Sequence, residues 1–181
     1  MILDRFRLDD RVAIVTGAGL GIGRGIAIGL AEAGADVVLA ARTASDLEEV
    51  AFRVREAGRR ALVVPTDVTV EADLERLVAT TVERFGRLDA VVNNAGGAMP
   101  RAALDTSEGF LERTFHFNVT APFTLTKLAA RAMVDTVGHG AVVNISSRSA
   151  SMTQTGFVAY GTAKAALDRL TRNMAPELAP R

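Results

Sequence analysis

The chain has 181 residues, of which 49% are hydrophobic and 23% charged, and its formal net charge is zero. This length suits one folded domain, and a neutral chain lacks the charge that draws a protein to nucleic acid or to an anionic membrane. Without cysteine, and with only His116 and His139 far apart in sequence, the chain is not expected to bind a metal ion.

Targeting signals are not evident in the sequence. No run of 18 apolar residues lacks a charge, so a membrane-spanning helix is not predicted. The first seven residues include Asp4, Arg5 and Arg7, where a signal peptide requires an apolar run. We therefore expect a cytoplasmic protein that has no membrane partner.

Short apolar runs alternate with longer amphipathic runs along the chain. In chain order they predict strand 11–16, helix 21–33, strand 36–41, helix 45–57, strand 61–65, helix 70–85, strand 88–93, helix 107–137, strand 141–146 and helix 157–178. Gly34, Gly58 and Gly86 are predicted to end helices, with Ser45 and Asp73 in early helical turns. Alternation of this kind predicts an α/β fold with a doubly wound, Rossmann-type parallel sheet in three layers, which binds ligands beyond the carboxyl ends of its strands.

A glycine-rich turn follows the first predicted strand, with the sequence TGAGLGIG at 16–23. The start of a helix offers free backbone N–H groups and a positive dipole end to a pyrophosphate. The spacing T-G-x-x-x-G-x-G is longer than G-x-G-x-x-G, and a flexible loop is the alternative, but the flanking strand and helix favour a dinucleotide. The predicted contacts are Gly17, Leu20, Gly21 and Ile22.

The second predicted strand ends in Ala41 and Arg42, without the carboxylate that binds the adenosine ribose of NAD. Asp36 lies at the opposite end of this strand. A guanidinium group suits the 2′-phosphate of NADP, so the sequence favours NADP(H) with Arg42 as its ligand, and leaves NAD(H) possible. The alternative is a solvated arginine in an arginine-rich chain.

Polar and small residues follow the third and fourth predicted strands. Asp67, followed by Val68, is placed to accept a hydrogen bond from the adenine amino group, unless it only caps the next helix. The segment NNAGG at 93–97 supplies amides that can cross-link strand ends and small residues that let the backbone approach a cofactor, although such a segment also suits a plain turn. The predicted cofactor contacts here are Asp67, Val68, Asn94, Ala95 and Gly96.

Tyr160 and Lys164 are four residues apart at the start of the last predicted helix, so they share one helical face. A neighbouring ammonium group favours the phenolate form of a tyrosine, which makes Tyr160 a candidate acid–base group and Lys164 a candidate ribose ligand. Ser147, after the fifth predicted strand, can donate to a substrate carbonyl. No histidine or aspartate is placed to make Ser147 a nucleophile. An ordinary surface Tyr–Lys pair and a turn serine are the alternatives.

Taken together, these motifs resemble the short-chain dehydrogenase/reductase family, in its single-domain branch. The matches are TGAGLGIG at 16–23, TDV at 66–68, NNAG at 93–96, FNVT at 117–120, NISS at 144–147 and YGTAK at 160–164. The resemblance implies Tyr160 as the proton donor and acceptor, Lys164 as its modulator and cofactor ligand, and Ser147 as the carbonyl anchor. It also implies that Asn118 helps to hold a water on a relay to the lysine, whereas the residues alone allow a polar group that faces a neighbouring helix.

The family resemblance further implies reversible hydride transfer between NADP(H) and a carbonyl or secondary alcohol held by Ser147 and Tyr160. It implies a homodimer or homotetramer formed through helices 107–137 and 157–179. Family members continue beyond the position of Arg181 into two further strands and a substrate lid, so we expect an incomplete chain with its fifth strand at or near an exposed edge. An apolar substrate is suggested by candidate lining residues: Gly97, Ala98, Met99, Met152, Gln154 and Phe157. Arg148 could instead meet an anionic group.

Two rival functions remain at this stage. An epimerase or dehydratase of the extended branch would carry a different glycine spacing and would not carry NNAG. The second rival function is a catalytically impaired cofactor-binding or interaction module of the same fold. The missing C-terminal segment favours this function, whereas the intact Ser147, Tyr160 and Lys164 argue against it.

Overall fold

The computed structural model describes residues 2–179. Its five strands are β1 (Val12–Thr16), β2 (Asp36–Ala41), β3 (Ala61–Pro65), β4 (Ala90–Asn93) and β5 (Ala141–Asn144). All pairings are parallel, in the order β3-β2-β1-β4-β5. These parallel pairings confirm the predicted doubly wound sheet. Its strands β1 and β2 are apolar along almost their whole length, so they can be buried on both faces.

Six α-helices accompany these strands in the described part of the chain. They are α1 (Gly21–Glu32), α2 (Ala44–Glu56), α3 (Glu71–Phe85), α4 (Glu108–Phe115), α5 (Ala121–Val137) and α6 (Val158–Leu178). Short 3-10 turns at Ile2–Phe6, Ala103–Asp105 and Arg148–Ala150 were not predicted. None of the helices in residues 2–179 combines the length and apolarity that a bilayer crossing requires.

Each of the three glycines predicted to end a helix lies one or two residues after the last residue of a helix. Gly34, Gly58 and Gly86 adopt φ values of 109°, 75° and 74°, a left-handed region in which other residues are strained. Ser45 lies in the first turn of α2, and Asp73 lies in the first turn of α3, where its carboxylate accepts a hydrogen bond from the N–H of Asp67 at 2.8 Å.

Helical backbone runs without a break from Glu108 to Val137, as predicted for 107–137, but a π turn inside it was not predicted. The chain forms α4, then a π turn over His116–Thr120, and then α5. Pro122 gives the physical reason, because it has no N–H to donate to the carbonyl of Asn118 and its ring crowds that carbonyl in an α-helix. The π turn places Pro122 just after it, in the first turn of α5, where a missing N–H is tolerated.

Two hydrophobic clusters cover the two faces of the sheet. One joins the strands to α3 and α5, with Leu77 and Leu125 fully buried, and the other joins them to α1 and α2, with Ala27 and Val50 fully buried. β5 forms one edge of the five-stranded sheet, and its Val143 is 49% exposed. This layering leaves the carboxyl ends of the strands open to a ligand.

Candidate active site

A cleft of about 900 Å³ runs along the carboxyl edge of the sheet. Because the strand order is β3-β2-β1-β4-β5, the cleft has one end beside β2 and β3 and another beside β5. The Arg42 end contains Arg42, Thr43, Asp46 and Asp67, and the Tyr160 end contains Ile145, Ser146, Tyr160 and Lys164. Among the predicted site residues, the cleft is lined by Gly17, Leu20, Ile22, Arg42, Asp67, Val68, Asn94, Ala95, Gly96, Tyr160 and Lys164.

Of the predicted catalytic and cofactor-binding residues, Gly21, Asn118 and Ser147 do not line this cleft. Of the candidate substrate-lining residues, Gly97 and Ala98 line it, whereas Met99, Met152, Gln154 and Phe157 do not, and neither does Arg148. Gly21 adopts φ 55° at the first position of α1, so its role is to let the chain turn into the helix. Asn118 is completely buried behind the cleft. Ser147 follows the lining residue Ser146 directly.

The glycine turn forms a cradle that side chains would fill. Gly17 has φ 63°, and a Cβ on Gly23 would overlap the carbonyl oxygen of Gly17. The N-cap of α1 is Leu20, which offers no side-chain hydrogen bond to the first N–H groups of the helix. Free N–H groups at the positive end of a helix dipole suit an anionic group, so this cradle fits the diphosphate of a dinucleotide.

Thr16 and Asn94 fasten the glycine turn to β4. The Nδ2 of Asn94 donates to the carbonyl oxygens of Thr16 at 2.9 Å and Gly17 at 3.2 Å. The Oγ1 of Thr16 accepts from the N–H groups of Asn94 and Ala95, each at 3.0 Å. Sequence reasoning missed Thr16, although the threonine that opens T-G-x-x-x-G-x-G was its available signal.

The predicted cross-link between strand ends occurs at Asn93. Its Nδ2 donates to Oδ1 of Asn144 at 2.8 Å, which joins the ends of β4 and β5. The same amide lies 3.2 Å from Oγ1 of Thr126 on α5. Asn93 therefore supports the sheet, while its neighbour Asn94 supports the glycine turn.

At the Arg42 end, Asp67 is held in a local turn. Its Oδ1 accepts from the N–H of Thr69 at 2.9 Å and from its hydroxyl at 2.7 Å. These hydrogen bonds lower the pKa of Asp67, with a smaller contribution from the charge of Arg42. Asp67 does not cap α3, whose N-cap is Val70. Its role toward adenine stays a prediction.

Asn118 braces the loop after β4. In the π turn, its Nδ2 donates to the carbonyl of Gly97 at 3.0 Å and to that of Thr114 at 2.9 Å, and its Oδ1 accepts from the N–H of Gly97 at 2.9 Å. The side chain therefore bonds this loop and the preceding turn of its own helix, rather than a neighbouring helix, which was the alternative that the residues alone allowed. Its part in a water relay stays a prediction.

Lys164 is buried at the Tyr160 end of the cleft and only 3% exposed. Its Nζ donates to the carbonyl of Ile145 at 2.8 Å and lies 5.9 Å from the centroid of the Tyr160 ring. Burial lowers the pKa of the Lys164 ammonium, and the charge of Asp168 offsets this only in part. An ammonium has three N–H donors, so two remain for a ligand once Ile145 is bonded. The Ile145 carbonyl was not predicted.

Tyr160 is half-buried, with its ring edge-on to Phe157 at 6.0 Å between centroids. Within residues 2–179 its hydroxyl has no hydrogen-bond partner, so it is available to a ligand. The Oγ of Ser147 accepts from the N–H of Ser149 at 3.2 Å, which leaves its own proton free to donate. Ser146, also missed, has a buried hydroxyl that finds no partner in the described part of the chain.

The fold and the site have the features of a dinucleotide-binding α/β oxidoreductase. A glycine cradle lies at one strand end, and a buried lysine beside an unbonded tyrosine hydroxyl lies at another. The family model described as short chain dehydrogenase matches residues 11–181, so the chain belongs to the short-chain dehydrogenase family.

Individual relatives agree with this assignment. An uncharacterized oxidoreductase of Mycobacterium tuberculosis is 49% identical over the whole chain, which spans 69% of that protein. The 7alpha-hydroxysteroid dehydrogenase of Escherichia coli K12 is 37% identical over 97% of this chain and 68% of its own length. A solved 7 alpha-hydroxysteroid dehydrogenase, complexed with NADH and 7-oxo glycochenodeoxycholic acid, superposes with a TM-score of 0.94 at 36% identity, covering 98% of this chain and 69% of that one.

Proposed function

We propose that this protein transfers hydride between a nicotinamide cofactor and a carbonyl or secondary alcohol, with Tyr160 as the general acid and base. The observation that carries the proposal is the free Tyr160 hydroxyl in the same cleft as the buried, singly bonded Lys164 ammonium. An ionised lysine stabilises the phenolate that remains when Tyr160 gives up its proton.

In the reduction direction, a bound reduced nicotinamide would supply the hydride that adds to the carbonyl carbon. The Tyr160 hydroxyl donates its proton to the oxygen on which charge develops, and the Ser147 hydroxyl donates a hydrogen bond to the same oxygen. The two remaining N–H groups of Lys164 would bind the cofactor ribose, while its charge would stabilise the phenolate. In the oxidation direction, the phenolate of Tyr160 accepts the proton of the alcohol.

NADP(H) is the cofactor that we propose as preferred, with NAD(H) as the second possibility. Ala41 supplies no carboxylate at the end of β2, and Arg42 lies in the cleft without an ion pair among residues 2–179. A planar guanidinium group suits a phosphate. The solved hydroxysteroid dehydrogenase is complexed with NADH, which supports NAD(H) as the alternative.

The substrate that we propose is apolar. Met99 is 76% exposed and Met152 is 56% exposed, in two loops joined by the hydrogen bond from the N–H of Arg101 to the carbonyl of Gly156 at 2.8 Å. Phe157 continues this surface to Tyr160. Partly exposed Phe123 and Val134 on α5 and Val158 on α6 support the further proposal of a homo-oligomer formed through these helices.

The test is Tyr160→Phe, with oxidation of NADPH or NADH followed spectroscopically over a panel of ketones. We expect turnover to fall by a factor on the order of 100 to 10,000, while cofactor affinity and the melting temperature stay near wild type. Thr162→Val is the matched control, because it removes an exposed hydroxyl from the same helix, one that donates to the carbonyl of Val158. Wild-type turnover by Tyr160→Phe would refute the proposal, and cofactor binding without turnover by the parent would favour a binding module.

A further inference from the structure

The Arg42 end of the cleft lacks the carboxylate that β2 could have supplied. Ala41 is the last residue of β2, and Asp36 lies at the other end of this strand. Asp36 accepts hydrogen bonds from the backbone N–H and the Nε of Arg60, each at 2.8 Å, and also pairs with Arg59. It is therefore unavailable to a ligand in the cleft.

Asp46 brings a carboxylate to this end from a different element. It lies in the first turn of α2 and lines the cleft. Gly19 makes the close approach possible, because a Cβ placed on Gly19 would lie only 2.9 Å from the Cβ of Asp46. The side chain of Asp46 is thus seated directly against the glycine turn that cradles the cofactor.

The carboxylate of Asp46 has no polar partner within residues 2–179. It forms no hydrogen bond and no ion pair there, although it is half-buried. Asp67, the other carboxylate that lines the cleft, is bonded to Thr69. Asp46 is therefore an unused hydrogen-bond acceptor in the cleft, and a carboxylate has room for several hydroxyl donors.

Arg42 and Asp46 face the cleft without neutralising each other. They are four residues apart, yet no ion pair forms between them, in contrast to Arg53 and Glu56 further along α2, whose charged atoms are 2.8 Å apart. A cation and an anion, neither of them in an ion pair within residues 2–179, therefore line the same end of the cleft, although the charge of Arg42 also acts on Asp67.

We propose that Asp46 accepts hydrogen bonds from the adenosine ribose hydroxyls of NAD(H), whereas Arg42 binds the 2′-phosphate of NADP(H), so that the cleft takes both cofactors through different residues. The inference rests on the proposed function and assigns the cofactor specificity of the same site. A ribose hydroxyl is a donor that an ionised carboxylate binds well. A 2′-phosphate replaces this donor with negative charge, which Asp46 repels and Arg42 attracts.

A helix-stabilising role is the competing explanation for Asp46. An acidic residue in the first turn of a helix interacts favourably with the helix dipole. Such a role would change the melting temperature of the apoprotein and would weaken both cofactors to the same extent. Cofactor affinity and stability must therefore be measured side by side.

The experiment compares Asp46→Ala and Arg42→Ala by equilibrium titration with NADH and with NADPH, followed by the fluorescence of the reduced nicotinamide. Asp46→Ala should raise the Kd for NADH by about tenfold or more and leave that for NADPH unchanged or lower, since a charged hydrogen bond is lost only with NADH. Arg42→Ala should raise the Kd for NADPH by about tenfold or more and that for NADH by less than about twofold. Glu48→Ala, which removes an exposed charge from the same helix, should alter neither.

Opposite shifts in the two variants support the inference. Equal weakening of both cofactors by Asp46→Ala, together with a lower melting temperature, overturns it in favour of the helix-stabilising role. Unchanged NADH binding in Asp46→Ala overturns it as well. If the parent binds neither cofactor, the proposed function itself fails, and the inference fails with it.

Discussion

At the amino edge of the sheet, the carboxylates of Asp36 and Asp89 are bonded to arginine guanidinium groups. At the carboxyl edge, the buried ammonium of Lys164 forms no close ion pair within residues 2–179, and the charge of Asp168 offsets the cost of its burial only in part. Asp89 alone accepts four hydrogen bonds, from Arg11, Arg87 and the N–H of Val12. Buried charge thus has two uses in one fold. The paired carboxylates of Asp36 and Asp89 stabilise the strand ends, whereas the ammonium of Lys164 keeps N–H donors that can bind a ligand.

The carboxyl edge should lose function without losing stability. Lys164→Met keeps the length of the side chain and removes the buried charge. We expect turnover to fall by about 100-fold or more because the phenolate of Tyr160 loses its stabilising ammonium. The free energy of unfolding should stay unchanged or rise by about 1 kcal/mol, because the desolvation of an unpaired ammonium is relieved. Urea unfolding and initial rates measure the two effects.

Lys127→Met is the matched control, because Lys127 is the other lysine of the chain and lies exposed on α5. It should leave turnover unchanged. If Lys164→Met instead unfolds the protein, Lys164 is a structural residue and the contrast between the two edges is lost.

The amino edge should show the reverse behaviour. Asp89→Asn removes the charge that binds Arg11 and Arg87 while it keeps the shape of the side chain, and Asp89 is only 7% exposed. We expect a loss of about 3 kcal/mol in the free energy of unfolding with unchanged Kd for NADPH, because two cations lose a nearly buried partner. Glu56→Gln, which breaks the exposed pair with Arg53, should cost less than about 1 kcal/mol. A variant of Asp89 that stays stable but loses cofactor would contradict the assignment.

Acid should weaken the amino edge selectively. Burial by itself raises the pKa of Asp89, but hydrogen bonds from Arg87, Arg11 and the N–H of Val12 outweigh it and hold this pKa at about 2. Because the pKa is lower in the folded state, the stabilisation is complete above the ordinary value of 3.8 and is lost as the pH falls to about 2. The stability gap between wild type and Asp89→Asn should therefore shrink by about 2 kcal/mol between about pH 5 and pH 2. A gap that does not change with pH would disprove this account.

The sequence predicted the sheet closely because β2, β3 and β4 are short apolar runs that each follow a helix-ending glycine, and such short bounded runs indicate strands rather than helices. The π turn within the helix over 107–137 was not predicted because the apolar spacing continues through Pro122, and apolar spacing carries no information about a missing backbone N–H.

Within the candidate site, predictable residues are those with a chemical signature, such as Arg42, Tyr160 and Lys164. The carbonyl of Ile145 has no such signature, because every residue carries the same backbone acceptor. Asp46 was also missed, because its place in the cleft depends on how α2 packs against Gly19 rather than on spacing along the chain.

The π turn has a consequence for how this protein can change in evolution. Between α4 and α5 it accommodates one more residue than an α-helix would, and it sets the direction in which Asn118 reaches Gly97. Each residue of an α-helix corresponds to a rotation of about 100°. A single-residue deletion or insertion between His116 and Thr120 would rotate one helix against the other and point Asn118 away from the loop. We therefore expect lineages of this chain to tolerate substitutions here far better than changes of length.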